Sequence, residues 1–76
     1  MNQEELANLI LSHFAAHPDA SDTIIGIAGW WIDASDLGVS EQDVKSALDL
    51  LCQRGLVYEK RIPNSLSLYS LRSPQS

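Results

Sequence analysis

His13 and His17 stand four residues apart, a spacing that can place two imidazoles on one metal ion when both lie on a helix. Zinc sites draw on three or four ligands. No third ligand is close in sequence, so Cys52 or Asp19 would have to be brought in by the fold. The plainer expectation puts His13 at the edge of an apolar stripe and His17 against the negative end of the helix dipole. Neither a metal nor a cofactor is therefore expected.

Cys52 sits in a mostly apolar stretch with no histidine beside it and Arg54 as its one nearby cation. It reads as a small buried hydrophobe rather than a reactive thiol. Catalytic carboxylate pairs or a nucleophile with its base need a pocket to hold them, which a chain of 76 residues seldom encloses. Gly26 and Gly29 lack the spacing and the preceding strand of a dinucleotide fingerprint. No catalytic residues are assigned, and the chain is read as a non-enzyme.

Trp30-Trp31 is the most informative dipeptide. Adjacent helical residues point about 100° apart, so one stripe cannot bury both. Trp31 continues the spacing of Ile24, Ile27 and Ala28 and is assigned to the core, which leaves Trp30 toward the flank. A flanking Trp either folds over the core edge or anchors a partner, Trp being enriched among binding hot spots. Asp33 and Asp36 follow it, so Trp30, Asp33 and Asp36 are the expected partner-binding residues, an apolar anchor with an acidic rim. Lys60-Arg61, with Arg54 and Arg72, forms a small basic cluster that suits either a nucleic-acid contact or an ordinary hairpin edge.

Periodicity supplies the elements that must carry these residues. Leu6, Leu9, Ile10, His13 and Phe14 predict an amphipathic helix over 3–16, which Pro18 ends near His17. Glu4 and Glu5 suit its positive end. Ser21, Asp22 and Thr23 can each cap a following helix. Residues 23–32 are read as that helix, or as one preceded by a short strand over Thr23–Ile25. Asp33 to Val39 is a turn. Ser40 with Asp43 caps a third helix whose stripe is Val44, Ala47, Leu48 and Leu51, and Gly55 stands at its left-handed C-terminal cap. Leu56–Ile62 and Leu66–Leu71 form a hairpin through a turn at Pro63, Asn64 and Ser65. The buried face of the second strand stays open between Leu66/Leu68 and Tyr69/Leu71. The expected core joins Leu6, Ile10, Phe14, Trp31, Val44, Leu48, Leu51 and Val57. The fold class is mainly α (α+β), one domain over 1–72 with a flexible tail at 73–76.

The 45% hydrophobic and 20% charged content is that of a globular protein. No apolar run reaches the roughly 20 residues that span a bilayer, and the acidic start is unlike a basic secretory leader. With one cysteine and no internal disulfide, the expected compartment is the cytoplasm. Residues 1–40 hold six acids (Glu4, Glu5, Asp19, Asp22, Asp33, Asp36) and no Lys or Arg. Residues 41–76 hold four acids and five bases, so charges of −6 and +1 make up the net −5. That balance repels phosphate backbones.

The stretch VSEQDVKSALDLLCQRGLVYEKR, with LYSL near the end, resembles the third helix and wing of the winged helix-turn-helix superfamily. The resemblance covers most of the chain and implies three helices followed by a two-stranded β-hairpin. It also implies DNA binding through the third helix and wing, as in most members. Here the outward face of that helix would present Glu41, Gln42, Lys45, Ser46, Asp49 and Gln53. Acids stand where a DNA-binding member needs bases, and acidic winged helices are familiar as protein-docking modules. The first expectation is thus a protein–protein interaction module, an adaptor or accessory subunit docking another protein, with a homodimer left open. The alternative is a winged-helix DNA-binding transcriptional regulator in which Lys45, Arg54, Lys60 and Arg61 contact phosphates.

Overall fold

Reciprocal side-chain caps begin the two long helices. In α1 (Gln3–Ala16) the Asn2 side chain accepts the Glu5 amide at 2.8 Å, while the Glu5 carboxylate accepts the Asn2 amide at 3.0 Å. In α4 (Glu41–Gln53) Ser40 and Asp43 exchange the same pair of bonds at 3.1 and 2.9 Å. The computed structural model describes residues 1–63 and 66–72, and the predicted turn residues Asn64 and Ser65 and the tail 73–76 lie outside them. Between the long helices come β1 (Ser21–Asp22), α2 (Ile24–Gly26), a π-helical segment (Ile27–Trp31) and α3 (Ala34–Leu37). After them come β2 (Val57–Lys60) and β3 (Leu68–Leu71).

Gly55, at φ 73°, ends α4. Its amide donates to the Cys52 carbonyl and the Leu56 amide to Leu51, both at 3.0 Å, which satisfies carbonyls the helix leaves open and turns the chain into β2. The α1 and α4 helices are also tied at their surfaces. The Gln3 side-chain amide donates to the Ser46 carbonyl at 2.9 Å, and the Arg54 guanidinium donates to both Glu4 carboxylate oxygens at 2.6 Å. The Arg54 hydrogen bonds hold the Glu4 carboxyl below its usual range.

The α+β class holds, with two corrections to the expected arrangement. The sheet has three strands in the order β1-β3-β2, all antiparallel, rather than two. A two-residue strand is too short for alternation to reveal it; β1 exists because Ser21 and Asp22 pair with Ser70 and Tyr69 on the free edge of β3. The helix expected over 23–32 is present over Ile24–Trp31, as α2 running into the π-helical segment, and the short strand before it lies at Ser21–Asp22 rather than Thr23–Ile25, while the turn expected over Asp33–Val39 contains α3. Thr23 caps α2 by accepting the Gly26 amide at 3.1 Å. The Ile32 amide then donates to the Ile27 carbonyl five residues back, at 3.3 Å. That wider turn sets Ile27 and Ile32 on one side, and both are buried. Trp31, assigned to the core, is partly buried and packs against it.

Leu6, Ile10, Phe14, Val44, Leu48, Leu51 and Val57 are buried as expected. Tyr69 joins them at 1% exposure, and this decides the facing of the last strand: Tyr69 and Leu71 pair opposite Glu59 and Val57 on the inner face. Burial first, then the Glu59 and Asp49 carboxylates, pushes the Tyr69 phenol up to about 12. The neutral phenol is thus favoured in the folded state. Its contribution is fully present below the ordinary tyrosine pKa of 10.0 and is lost as pH rises from there through about 12. Urea midpoints should therefore fall between pH 10 and 12, and Tyr69→Phe should flatten that fall.

Two glycines, Gly26 of α2 and Gly29 of the π-helical segment, differ in what an added side chain would meet. A Cβ at Gly26 would overlap the Asp22 carboxylate, which accepts the Thr23 amide at 2.7 Å, whereas a Cβ at Gly29 meets nothing within 4 Å. Gly26→Ala must swing that carboxylate aside and give up its bond to the Thr23 amide, which offsets the gain an alanine brings to a helix. Gly29→Ala should stabilise by about 0.4–1 kcal/mol through the unfolded chain. Denaturant melts should place Gly29→Ala above Gly26→Ala in stability.

Candidate functional site

The π-helical segment and the last turns of α1 enclose an aromatic cleft of about 480 Å³ lined by His13, His17, Ala20, Trp30 and Trp31. The Trp31 ring meets Phe14 nearly edge-on at 4.7 Å and 67°, and the His13 ring stands 6.4 Å away at 46°. These contacts hold Trp31 as the cleft's rigid wall. Trp30 is 89% exposed, the most exposed of the large apolar side chains among the described residues. The cleft can receive an apolar or aromatic side chain against indole. As a metal centre it lacks ligands: no three His, Cys, Asp or Glu gather at any one place among the described residues.

Sequence reasoning paired Trp30 with Asp33 and Asp36, whereas the cleft pairs it with the two histidines. Asp33 lines a separate depression with Ile25, Gly29, Ala34, Ser35 and Glu41. Its backbone is left-handed, at φ 48°, a conformation Asp tolerates better than most residues. Its carboxylate faces the Asp36 amide at 3.4 Å as the cap of α3. Asp36 is exposed in the first turn of that helix and lines neither hollow. Asp33 and Asp36 follow Trp30 in the chain, but the π-helical segment ends between them, at Trp31, and the left-handed Asp33 turns the chain into α3, away from the end of α1.

The expected basic cluster is split. Lys45 binds Asp49 at 3.0 Å and Arg54 is held by Glu4, so two of the four predicted phosphate contacts already face carboxylates. Arg72 lies near Gly55 at the start of the hairpin. Lys60 and Arg61 are exposed at the far end of β2, three residues from Val57 and ~10 Å along the strand. Cys52 is half-buried, and burial, then Asp49 and Glu59, raises its thiol pKa, which favours the unreactive thiol form.

A second hollow, of about 420 Å³, lies between the first turns of α4 and the hairpin. Ile24, Ile25, Leu66 and Tyr69 give it apolar walls, and Glu41, Lys45 and Glu59 stand along it. Sequence reasoning missed it. The available signal was Ile25, which falls off the stripe of Ile24, Ile27 and Ala28, and Leu66, which falls off the face of Tyr69. Compared with known proteins, the chain matches no protein-family model and no curated protein.

Proposed function

We propose that this chain is a winged-helix-like protein-interaction module, an adaptor or accessory subunit that catalyses no reaction and docks a cytoplasmic partner protein through Trp30. One observation carries the reading: an indole 89% exposed beside a cleft whose other wall is held by core contacts. Leaving so large an apolar surface in water is unfavourable, and Trp is enriched among the residues that anchor interfaces. No helix is long and apolar enough to cross a membrane among the described residues.

The DNA-binding reading draws on the helix-then-hairpin order, but Lys45 and Arg54 are already paired and the net charge is −5. Random-sequence duplex should bind no tighter than micromolar at physiological salt; submicromolar binding falling steeply with salt would promote that alternative. The docking reading is tested by capture from nuclease-treated cytosol on the immobilised chain and on Trp30→Ala. A partner retained by the parent and lost by the variant is expected. A partner held equally by both, or released by the nuclease, refutes the assignment of Trp30.

A further inference from the structure

The geometry points to a second docking surface, the groove between α4 and the hairpin, that takes a basic amphipathic segment of another protein. It shares no lining residue with the Trp30 cleft. Ile25 and Leu66, 54% and 55% exposed, come from distant parts of the chain and converge on this groove, with Ile24 and the buried Tyr69 at its floor. Convergence of separately encoded exposed aliphatics into one trough is unlike the single scattered apolar residues that an ordinary surface carries.

Charge selects the occupant. Among the described residues Lys45 is the one cation lining the groove, and Asp49 engages it at 3.0 Å. Glu41 and Glu59 have no ion-pair partner among the described residues, so the groove presents free carboxylates beside aliphatic walls. A phosphate backbone is repelled there. A small-molecule site buries most of its ligand, whereas the two aliphatic walls here, Ile25 and Leu66, are themselves more than half exposed. A segment with Leu- or Ile-like side chains on one face and Lys or Arg at its flanks matches both features. Its aliphatics would lie between Ile25 and Leu66, and its cations against Glu41 and Glu59. The net charge of −5 adds long-range attraction for such a segment.

The test titrates the full chain, ¹⁵N-labelled, with a short synthetic helix-forming peptide of leucines and lysines. Two controls carry Glu for every Lys, or Ser for every Leu. The expected result is saturable movement of the Ile25, Glu41, Glu59 and Leu66 amides, with the Trp30 and Trp31 indole signals unmoved. Both control peptides should bind at least about tenfold more weakly to the parent. The leucine–lysine peptide should lose as much on the Glu41→Gln/Glu59→Gln variant and on Ile25→Ser, all of whose sites are exposed and so keep the fold. Equal binding of the serine control reduces the effect to bulk charge and overturns the proposal, as does equal binding of the glutamate control. It also fails if the shifts centre on the Trp30 cleft. Movement of the same amides with protein concentration alone, or with duplex DNA, assigns the groove to a second copy or to nucleic acid instead. Trp30-dependent capture stands or falls separately from all of these outcomes.

Discussion

Leu48→Ala should lower the stability of this domain by about 2–5 kcal/mol, the cost of truncating a buried leucine and leaving its cavity. Leu48 is 0% exposed in the middle of α4, in one cluster with Leu6, Ile10 and Phe14 of α1 and with Val57 and Tyr69 of the sheet. At about 0.05–0.15 kcal/mol per residue, a chain of 76 residues has only about 4–11 kcal/mol in total. The substitution therefore removes a large share of it. The melting temperature should fall by roughly 10 °C or more. Leu48→Met, which keeps the volume, should cost less than about 1.5 kcal/mol, and Leu50→Ala, at a half-buried position on the same helix, should cost less than Leu48→Ala. An alanine variant as stable as the parent would remove α4 from the centre of the core.

The two tryptophans should separate stability from binding. Trp31 packs on the core and meets Phe14 edge-on at 4.7 Å. Trp31→Ala should cost about 2–4 kcal/mol, below the range for a fully buried Trp because one side of the ring faces the cleft. Trp30 is 89% exposed and lends the core little, so Trp30→Ala should leave the melting temperature nearly unchanged. At an interface the same truncation should weaken partner binding by about 2 kcal/mol or more. Acrylamide quenching of the single-Trp variants reads the difference directly, with Trp30 the strongly quenched residue. If Trp30 is instead the protected one and its loss unfolds the domain, the aromatic cleft is a folding element and the docking surface lies elsewhere.

Much of the scaffold was legible because it rests on local rules. Ser40 and Asp43 announced the start of α4, Gly55 its end, and Pro18 the end of α1. Regular periodicity identified seven core residues, Leu6, Ile10, Phe14, Val44, Leu48, Leu51 and Val57. The Asn2–Glu5 cap is equally local, Glu5 both suiting the positive end of α1 and accepting the Asn2 amide. Of the candidate site, the outward position of Trp30 was legible, since two adjacent helical residues cannot share one stripe. Its neighbours were not. Placing His13 and His17 beside it, and Asp33 beyond it, depends on how the end of α1 meets the π turn, and no spacing within either segment encodes that meeting.

By itself, then, the sequence determined the class of fold, the two long helices with their caps, the hairpin, the uneven charge, and the outward Trp30. These follow from interactions within a few residues or from summed composition, which a linear reading captures. The tertiary structure alone decided the rest: the third strand, the burial of Ile32 in place of Trp31, the inward facing of Tyr69, the capture of Arg54 by Glu4, and the groove joining Ile25 to Leu66. Each depends on groups far apart in the chain. A two-residue strand gains its hydrogen bonds only from the edge it meets. A π turn is one extra residue that matters once packing against α1 and α4 chooses which side chain goes inward. An arginine is free or neutralised according to which carboxylate the fold brings to it.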